Sequence, residues 1–151
     1  MLRFERDQPR VLVVDDDPMI LDLVVTRLSL AGCEVYGARS GAAAIERIRG
    51  IRPVAMVLDI NMPGLDGFGV LEHMNTTGSI RSIATLMLTA RNRPEDIKLA
   101  ISLGARDYLA KPFSDDQLLV RMARLLRKRE TRTAAPFIRS DQDQAARVLK
   151  L

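Results

Sequence analysis

The sequence predicts an α/β fold in which helices cover both faces of a parallel sheet of five strands. Short aliphatic runs alternate along the chain with longer segments whose apolar residues recur at helical spacing. The aliphatic runs are apolar at successive positions, which is typical of strands that are buried on both faces. Strands that alternate with helices in this way favour parallel pairing through right-handed crossovers.

The first strand and its helix show this pattern most clearly. Residues 11–14 are an unbroken aliphatic run, and Pro18 suits the first turn of the helix that follows, predicted over residues 18–30. Asp17 is expected to cap the start of this helix, and Gly32 is expected to lie at its end.

The remaining elements follow in the same alternation. Ser40 is expected to cap the second helix and Gly50 to end it, while Gly104 is expected to end the fourth. Ser114, followed by Gln117, is a capping-box pattern that opens the last helix. The remaining predicted strands are residues 34–38, 54–58, 83–88 and 107–110, and the remaining predicted helices are residues 41–49, 67–75, 94–103 and a last one after residue 114.

Composition restricts the function classes. The chain has 151 residues, of which 47% are hydrophobic and 28% charged, as in a folded domain with one sizeable core. No apolar run approaches the roughly 20 residues of a membrane-spanning helix, and the N-terminus lacks the apolar segment of a secretory signal. A single cysteine, Cys33, excludes an internal disulfide. We therefore expect a cytoplasmic protein without membrane association.

The charge distribution does not predict nucleic-acid binding. The net charge is +4, but the basic excess is concentrated in residues 121–129, on the last predicted helix. Aromatic residues make up only 4% and tryptophan is absent, so a base-stacking surface is not expected. Direct DNA binding by this chain is therefore not expected. We divide it into an N-terminal extension (1–9), one domain (10–129) and a linker or C-terminal tail (130–151) that could include a short helix.

Polar side chains follow four of the predicted strands, at the point where each strand ends. Asp15 and Asp16 follow the first strand and Asp59 the third, while Thr89 and Lys111 follow the fourth and fifth. The carboxyl ends of parallel strands meet at one edge of the sheet, where α/β folds bind ligands. We therefore expect these side chains to lie close together.

The chemistry of this set indicates a metal and a phosphoryl group. Carboxylates about 5 Å apart repel by roughly 3 kcal/mol per pair, which a divalent cation would relieve. Oxygen ligands favour Mg²⁺, for which Mn²⁺ can substitute. The Lys111 ammonium and the Thr89 hydroxyl would face the metal, and such a set suits phosphoryl transfer.

Four segments of the sequence, taken in order, resemble the receiver domain of two-component response regulators. They are residues 11–17, 58–67, 88–90 and 107–113, and the resemblance extends over about residues 10–129. It implies a flavodoxin-like (βα)5 three-layer sandwich with the strand order 2-1-3-4-5. Such a domain is a signalling switch and not an enzyme, apart from its own phosphorylation and slow dephosphorylation.

The resemblance also implies a role for each site residue. Asp59 would accept a phosphoryl group from the phosphohistidine of a sensor histidine kinase or phosphotransfer protein. Mg²⁺ would be held by Asp16, Asp59 and the Asn61 backbone carbonyl, with Asp15 acting largely through water. Thr89 and Lys111 would contact the phosphoryl oxygens. Two further positions, Asn61 and Arg91, tune the acyl-phosphate lifetime in this family.

The implied output is a change at the face formed by the fourth helix, fifth strand and fifth helix. Tyr108 would rotate from solvent into the space that Thr89 vacates, and this face would then control a downstream protein or a fused output domain. Asp107 and Arg121 resemble an ion pair of receiver dimers, which favours a phosphorylation-dependent homodimer, although Gln117 and Arg106 depart from that pattern.

Two alternatives stay open at this point. A phosphatase of the haloacid dehalogenase type would use Asp15 as its nucleophile, but Met19 departs from its motif and Asp59 would have no role. The chain could also be the receiver part of a longer DNA-binding transcriptional regulator.

Overall fold

The computed structural model describes residues 8–134, and the side chains of residues 8–127. Strands and helices alternate along this part of the chain. The elements are β1 (Arg10–Val14), α1 (Pro18–Leu30), β2 (Glu34–Ala38), α2 (Gly41–Ile51), β3 (Ala55–Leu58), α3 (Gly67–Thr77), a 3₁₀ turn (Ser79–Arg81), β4 (Ala84–Thr89), α4 (Pro94–Ser102), β5 (Asp107–Ala110) and α5 (Asp115–Ala134).

The strands form one parallel sheet in the order β2-β1-β3-β4-β5, which confirms the predicted architecture. All four strand pairs are parallel, and β1 pairs with both β2 and β3. From β1 the chain adds β2 toward one edge of the sheet, and it then adds β3, β4 and β5 toward the other edge. The direction in which strands are added therefore reverses between β1 and β3. In open parallel sheets, ligands bind beyond the carboxyl ends of the strands at such a reversal.

Alternate residues of each central strand pack against different layers of helices. In β1, Leu12 and Val14 belong to a cluster shared with α2, α3 and α4, whereas Val11 and Val13 belong to a cluster shared with α1 and α5. This arrangement explains the unbroken aliphatic runs, because both faces of each central strand are covered. Within the described residues, no helix is both long enough and apolar enough to cross a lipid bilayer.

The predicted helix caps are mostly confirmed. The Met19 amide donates to the Asp17 carboxylate at 2.9 Å, and the Ala43 amide donates to the Ser40 hydroxyl at 3.1 Å. In the capping box, the Ser114 amide donates to Gln117 Oε1 at 2.9 Å and the Gln117 amide donates back to Ser114 Oγ at 3.1 Å. These side chains satisfy amides that a helix start leaves unpaired.

The glycine caps are confirmed at two of three positions. Gly32 and Gly104 have φ values of 104° and 106° just beyond α1 and α4. The prediction that Gly50 ends the second helix is wrong, because α2 continues to Ile51 and its left-handed cap is Arg52, with φ 52°. Ile51 is buried in the core cluster on that side of the sheet, so its packing extends the helix past the glycine.

At the C-terminus, the backbone of α5 is helical to Ala134. The helix therefore continues five residues (130–134) into the segment that we expected to be a linker or tail from residue 130. The short helix predicted within residues 140–151 lies outside the described residues, as does most of the predicted N-terminal extension.

Candidate functional site

The edge of the sheet brings together the polar residues that follow the strands. Backbone hydrogen bonds continue for one residue past three of the strand ends: the Asp15 amide donates to Ala38, Asp59 to Val14, and Lys111 to Thr89, at 3.0–3.1 Å. This pairing fixes the positions of the functional residues, although they lie outside the regular strands. The predicted convergence at one edge is thus present.

Three carboxylates form the centre of the site. Asp15, Asp16 and Asp59 each place one carboxylate oxygen within 4.8 Å of the other two. Asp15 and Asp59 are buried, with 2% and 6% of their surfaces exposed, and Asp16 is half-buried. Three hard oxygen donors at this separation fit a divalent cation such as Mg²⁺, which relieves their mutual repulsion.

Lys111 neutralises part of this negative charge from the opposite side. Its Nζ lies 2.8 Å from Asp15 Oδ2 and 3.1 Å from Asp59 Oδ2. Backbone amides hold the other carboxylate oxygens: the Asp17 amide donates to Asp15 Oδ1 at 2.9 Å, and the Ile60 amide donates to Asp59 Oδ1 at 2.7 Å. The two buried carboxylates are therefore fixed in orientation.

Burial and the neighbouring charges shift the pKa values of Asp15 and Lys111 in opposite directions. Burial raises the pKa of Asp15 above its usual value, although the hydrogen bond from Lys111 acts to lower it. Burial acts to lower the pKa of Lys111, but the Asp15 and Asp59 carboxylates outweigh it, and the net pKa of Lys111 is raised. Lys111 therefore keeps its positive charge at neutral pH.

The loop between β3 and α3 shapes the rim of the site beside Asp59. A Cβ atom on Gly67 would collide with the Asp59 carbonyl oxygen, so the helix start can lie this close to Asp59 only with glycine there. The Gly67 amide donates to the Ile60 carbonyl at 2.8 Å, and Asp66 caps α3 through the Gly69 amide at 2.9 Å. Asn61 lies exposed in this loop.

Thr89 and Tyr108 lie on the side of the site toward α4 and β5. Thr89 is fully buried, and its hydroxyl accepts a hydrogen bond from the Arg91 amide at 3.1 Å. The Tyr108 ring packs against the core cluster that includes Met87 and Ala100, and its hydroxyl is buried with no hydrogen-bond partner among the described residues. Desolvation, reinforced by the charge of Asp96, raises the pKa of Tyr108 to about 12.

The Tyr108 side chain is directed inward. The resemblance implied a ring that rotates from solvent, whereas the Tyr108 hydroxyl is buried in this structure. The packing of the ring against the core cluster stabilises this inward orientation.

Sequence reasoning did not identify one residue that contacts the rim of the site. Asp96, in the first turn of α4, is buried and lies 3.0 Å from Arg91 Nε. Its only sequence signal was an acidic residue in a first helical turn, which is ordinary complementation of the helix dipole. Its burial depends on how α4 packs against the sheet.

Comparisons with known proteins decide the family. The protein-family model described as the response regulator receiver domain matches residues 11–123 of this chain. The chain belongs to the response regulator receiver domain family. This match leaves the phosphatase alternative without support.

The chain is similar to response regulators named MprA. It is 40% identical over 126 residues to the protein of Mycobacterium bovis (strain BCG / Pasteur 1173P2), an alignment that covers 83% of this chain and 54% of the relative. It is 42% identical over 119 residues to the Mycobacterium ulcerans protein, covering 79% and 50%. The chain therefore spans about half the length of the curated relatives that it matches.

Solved structures of receiver domains have the same fold. The chemotaxis protein CheY4 of Vibrio cholerae is 31% identical, with a TM-score of 0.75 over 79% of this chain and 99% of that one. A CheY-like receiver domain protein of Methanospirillum hungatei JF-1 is 26% identical, with a TM-score of 0.78 over 83% and 99%. The chain is thus a receiver domain of the two-component signalling class.

Two smaller features of the receiver fold are also present. The peptide bond between Lys111 and Pro112 is cis. Arg121 pairs with Asp107 within the chain, with its NH1 2.7 Å from Asp107 Oδ1 and 3.2 Å from the Tyr108 carbonyl oxygen. This ion pair fixes α5 against β5.

Proposed function

We propose that this receiver domain is a signalling switch that is activated by phosphorylation of Asp59. The observation that carries the proposal is the group of three carboxylates within 4.8 Å of one another, with Lys111 bonded to two of them. Such a site favours in-line attack by a buried carboxylate on a phosphoryl group whose charge is neutralised from both sides.

In this proposal Asp16, Asp59 and the Asn61 backbone carbonyl hold Mg²⁺ (or Mn²⁺), with Asp15 acting largely through water. When bound, the metal neutralises charge on the phosphoryl oxygens. Ile60 and Lys111 fix the Asp59 carboxylate, which attacks the phosphorus through its free lone pairs while the phosphohistidine nitrogen departs with the electrons of the broken bond. Lys111 and the Thr89 hydroxyl then contact the phosphoryl oxygens.

The phosphoryl donor would be a sensor histidine kinase or a histidine phosphotransfer protein in the cytoplasm. Beyond its own phosphorylation and slow dephosphorylation, we propose no catalytic turnover. Ala90 beside Thr89 is small, which favours access of a partner to Asp59.

The output surface would be the face formed by α4, β5 and α5. Exposed apolar side chains on α4 support this choice: Leu99 and Ile101 are 43% and 46% exposed. Phosphorylation would alter the packing of this face and so control a downstream protein, an output domain fused to the receiver, such as a DNA-binding one, or a homodimer.

Labelling with a small phosphodonor tests the proposal. The protein is incubated with acetyl phosphate and Mg²⁺, and the intact mass is recorded for wild type, Asp59→Asn and the control Asp66→Asn. Asp66 belongs to the same loop and caps α3, a role that asparagine also fills. We expect one phosphoryl group on wild type and Asp66→Asn, and none on Asp59→Asn. Full labelling of Asp59→Asn would refute the assignment.

A further inference from the structure

One charged side chain connects the rim of the site to two helices. Arg91 follows β4, and its Nε lies 3.0 Å from Asp96 Oδ1 in α4. Its NH1 lies 3.4 Å from Asn61 Oδ1 in the loop after β3, and its guanidinium carbon lies 5.3 Å from the centre of the Phe68 ring in α3. Arg91 is thus in contact with the site loop and with α4 at the same time.

Asp96 is only half satisfied by this contact. The residue is 6% exposed, and its Oδ1 pairs with Arg91. Its Oδ2 is buried and has no hydrogen-bond partner within the described part of the chain. Buried carboxylate oxygens are normally hydrogen-bonded, so this oxygen is poised to accept a donor.

The Tyr108 hydroxyl is a buried donor that also lacks a partner among the described residues. The Tyr108 ring packs against the core cluster that includes Ala100 of α4, the helix that carries Asp96. An unpartnered buried acceptor and an unpartnered buried donor therefore lie beside the same helix. The opposite effects of the Asp96 and Arg91 charges on the pKa of Tyr108 agree with this placement.

We propose that Asp96 is a positioning residue that exchanges partners when Asp59 is phosphorylated: it releases Arg91 and accepts a hydrogen bond from the Tyr108 hydroxyl. This inference rests on the proposed function. The phosphoryl group adds a charge of about −1.5 to −2 with strong acceptor oxygens, and a guanidinium binds such oxygens through two parallel hydrogen bonds. Arg91 is already at the rim of the site, so it turns toward the new charge.

The exchange carries the signal into α4. Without Arg91, the buried Asp96 carboxylate has no counter-charge, and a hydrogen bond from Tyr108 compensates only part of that loss. Because Asp96 lies in the first turn of α4, the change of partner shifts the start of this helix relative to β4. The inward Tyr108 side chain is then held by a specific acceptor as well as by packing.

NMR of the side-chain Nε–Hε group of Arg91 tests the exchange of partners in the wild-type protein. Beryllofluoride, added with Mg²⁺, serves as the phosphoryl mimic. The resonance is assigned by its loss in Arg91→Lys. We expect the Arg91 resonance and the α4 amide resonances to shift together. We also expect the Tyr108 hydroxyl proton to become protected against exchange with solvent. An unmoved Arg91 resonance, with the Ile60 amide shifted, would overturn the exchange. If the Ile60 amide does not respond either, it is the proposed function that fails.

A pair of matched variants separates Asp96 from a general charge effect. Asp96→Asn and Glu95→Gln remove the same charge from the same helical turn, but Glu95 is exposed. Because asparagine restrains Arg91 less, we expect Asp96→Asn to bind beryllofluoride about five-fold more tightly than Glu95→Gln does, with a weakened α4 response. Equal affinities in the two variants would overturn the role of Asp96.

Tyr108→Phe provides a second test, which does not depend on the stability of the Asp96→Asn variant. Phenylalanine keeps the packing of the ring and removes only the hydroxyl. We expect the Arg91 resonance still to shift with beryllofluoride, while the α4 response is reduced as in Asp96→Asn. A complete α4 response in Tyr108→Phe would contradict the proposed hydrogen bond.

Discussion

Replacing Asp16 by asparagine is expected to stabilise the metal-free protein and to remove most of its stabilisation by Mg²⁺. The Asp16 carboxylate lies within 4.8 Å of those of Asp15 and Asp59, so each pair repels by about 3.5 kcal/mol at an effective dielectric constant near 20. Attraction to Lys111 offsets part of this repulsion, and water around the half-buried Asp16 screens more of it. We expect a net gain of about 1–2 kcal/mol.

The effect of Mg²⁺ reverses the order of the two proteins. A bound ion stabilises the folded state by about 2.7 kcal/mol at a concentration 100-fold above its dissociation constant. Asp16→Asn lacks one of the carboxylates that hold the ion, so its stability is expected to depend only weakly on Mg²⁺. The variant should therefore be more stable than wild type in EDTA and less stable at high Mg²⁺.

Urea and thermal unfolding in EDTA and over a Mg²⁺ titration measure both effects. The gain in EDTA corresponds to a rise in Tm of roughly 3–6 °C. Asp17→Asn is the matched control, since Asp17 is exposed and caps α1, a role that asparagine also fills. The reasoning is refuted if Asp16→Asn is destabilised in EDTA, or if its response to Mg²⁺ equals that of Asp17→Asn.

Three further predictions concern the fold around the site. Gly50→Ala should raise the free energy of unfolding by about 1 kcal/mol, because Gly50 is inside α2 and a Cβ there meets nothing within 4 Å. A lower free energy of unfolding in urea would contradict the observed end of α2. Burial raises the pKa of Cys33 to about 12, so this thiol should react with a disulfide reagent at neutral pH far more slowly in the native than in the urea-unfolded protein; equal rates would contradict its burial. The pKa of Tyr108 is raised to about 12 from 10.0, so the folded state holds this proton more tightly, and its contribution to stability is complete below pH 10 and lost as the pH rises toward 12. Urea midpoints should therefore decline less over this range in Tyr108→Phe than in wild type, and parallel declines would contradict the shift.

The sheet and the position of the site could be predicted because they depend on local signals. Both faces of β1, β3 and β4 are buried, and the sequence shows this directly as aliphatic runs. Once the strands are placed, parallel topology puts the residues after their ends at one edge. Asp59 and Lys111 are 52 positions apart in the chain, yet their side chains are 3.1 Å apart for this reason.

The features that could not be predicted depend on contacts between distant elements. Packing of Ile51 into the core extends α2 past Gly50, although the glycine is the stronger local stop signal. The inward Tyr108 side chain and the ion pair of Arg91 with the buried Asp96 depend on how α4 packs against β4 and β5. A single sequence does not show these contacts, because an acidic residue in the first turn of an exposed helix has the same pattern.

Chemical trapping of the acyl phosphate tests the central claim most directly. Treatment of the phosphorylated wild-type protein with borohydride reduces an aspartyl phosphate to homoserine, and peptide mass spectrometry then identifies the modified position. The account predicts homoserine at Asp59 and nowhere else, formed only when Mg²⁺ and the phosphodonor are both present. Homoserine at Asp15 or Asp16 in place of Asp59 would contradict it.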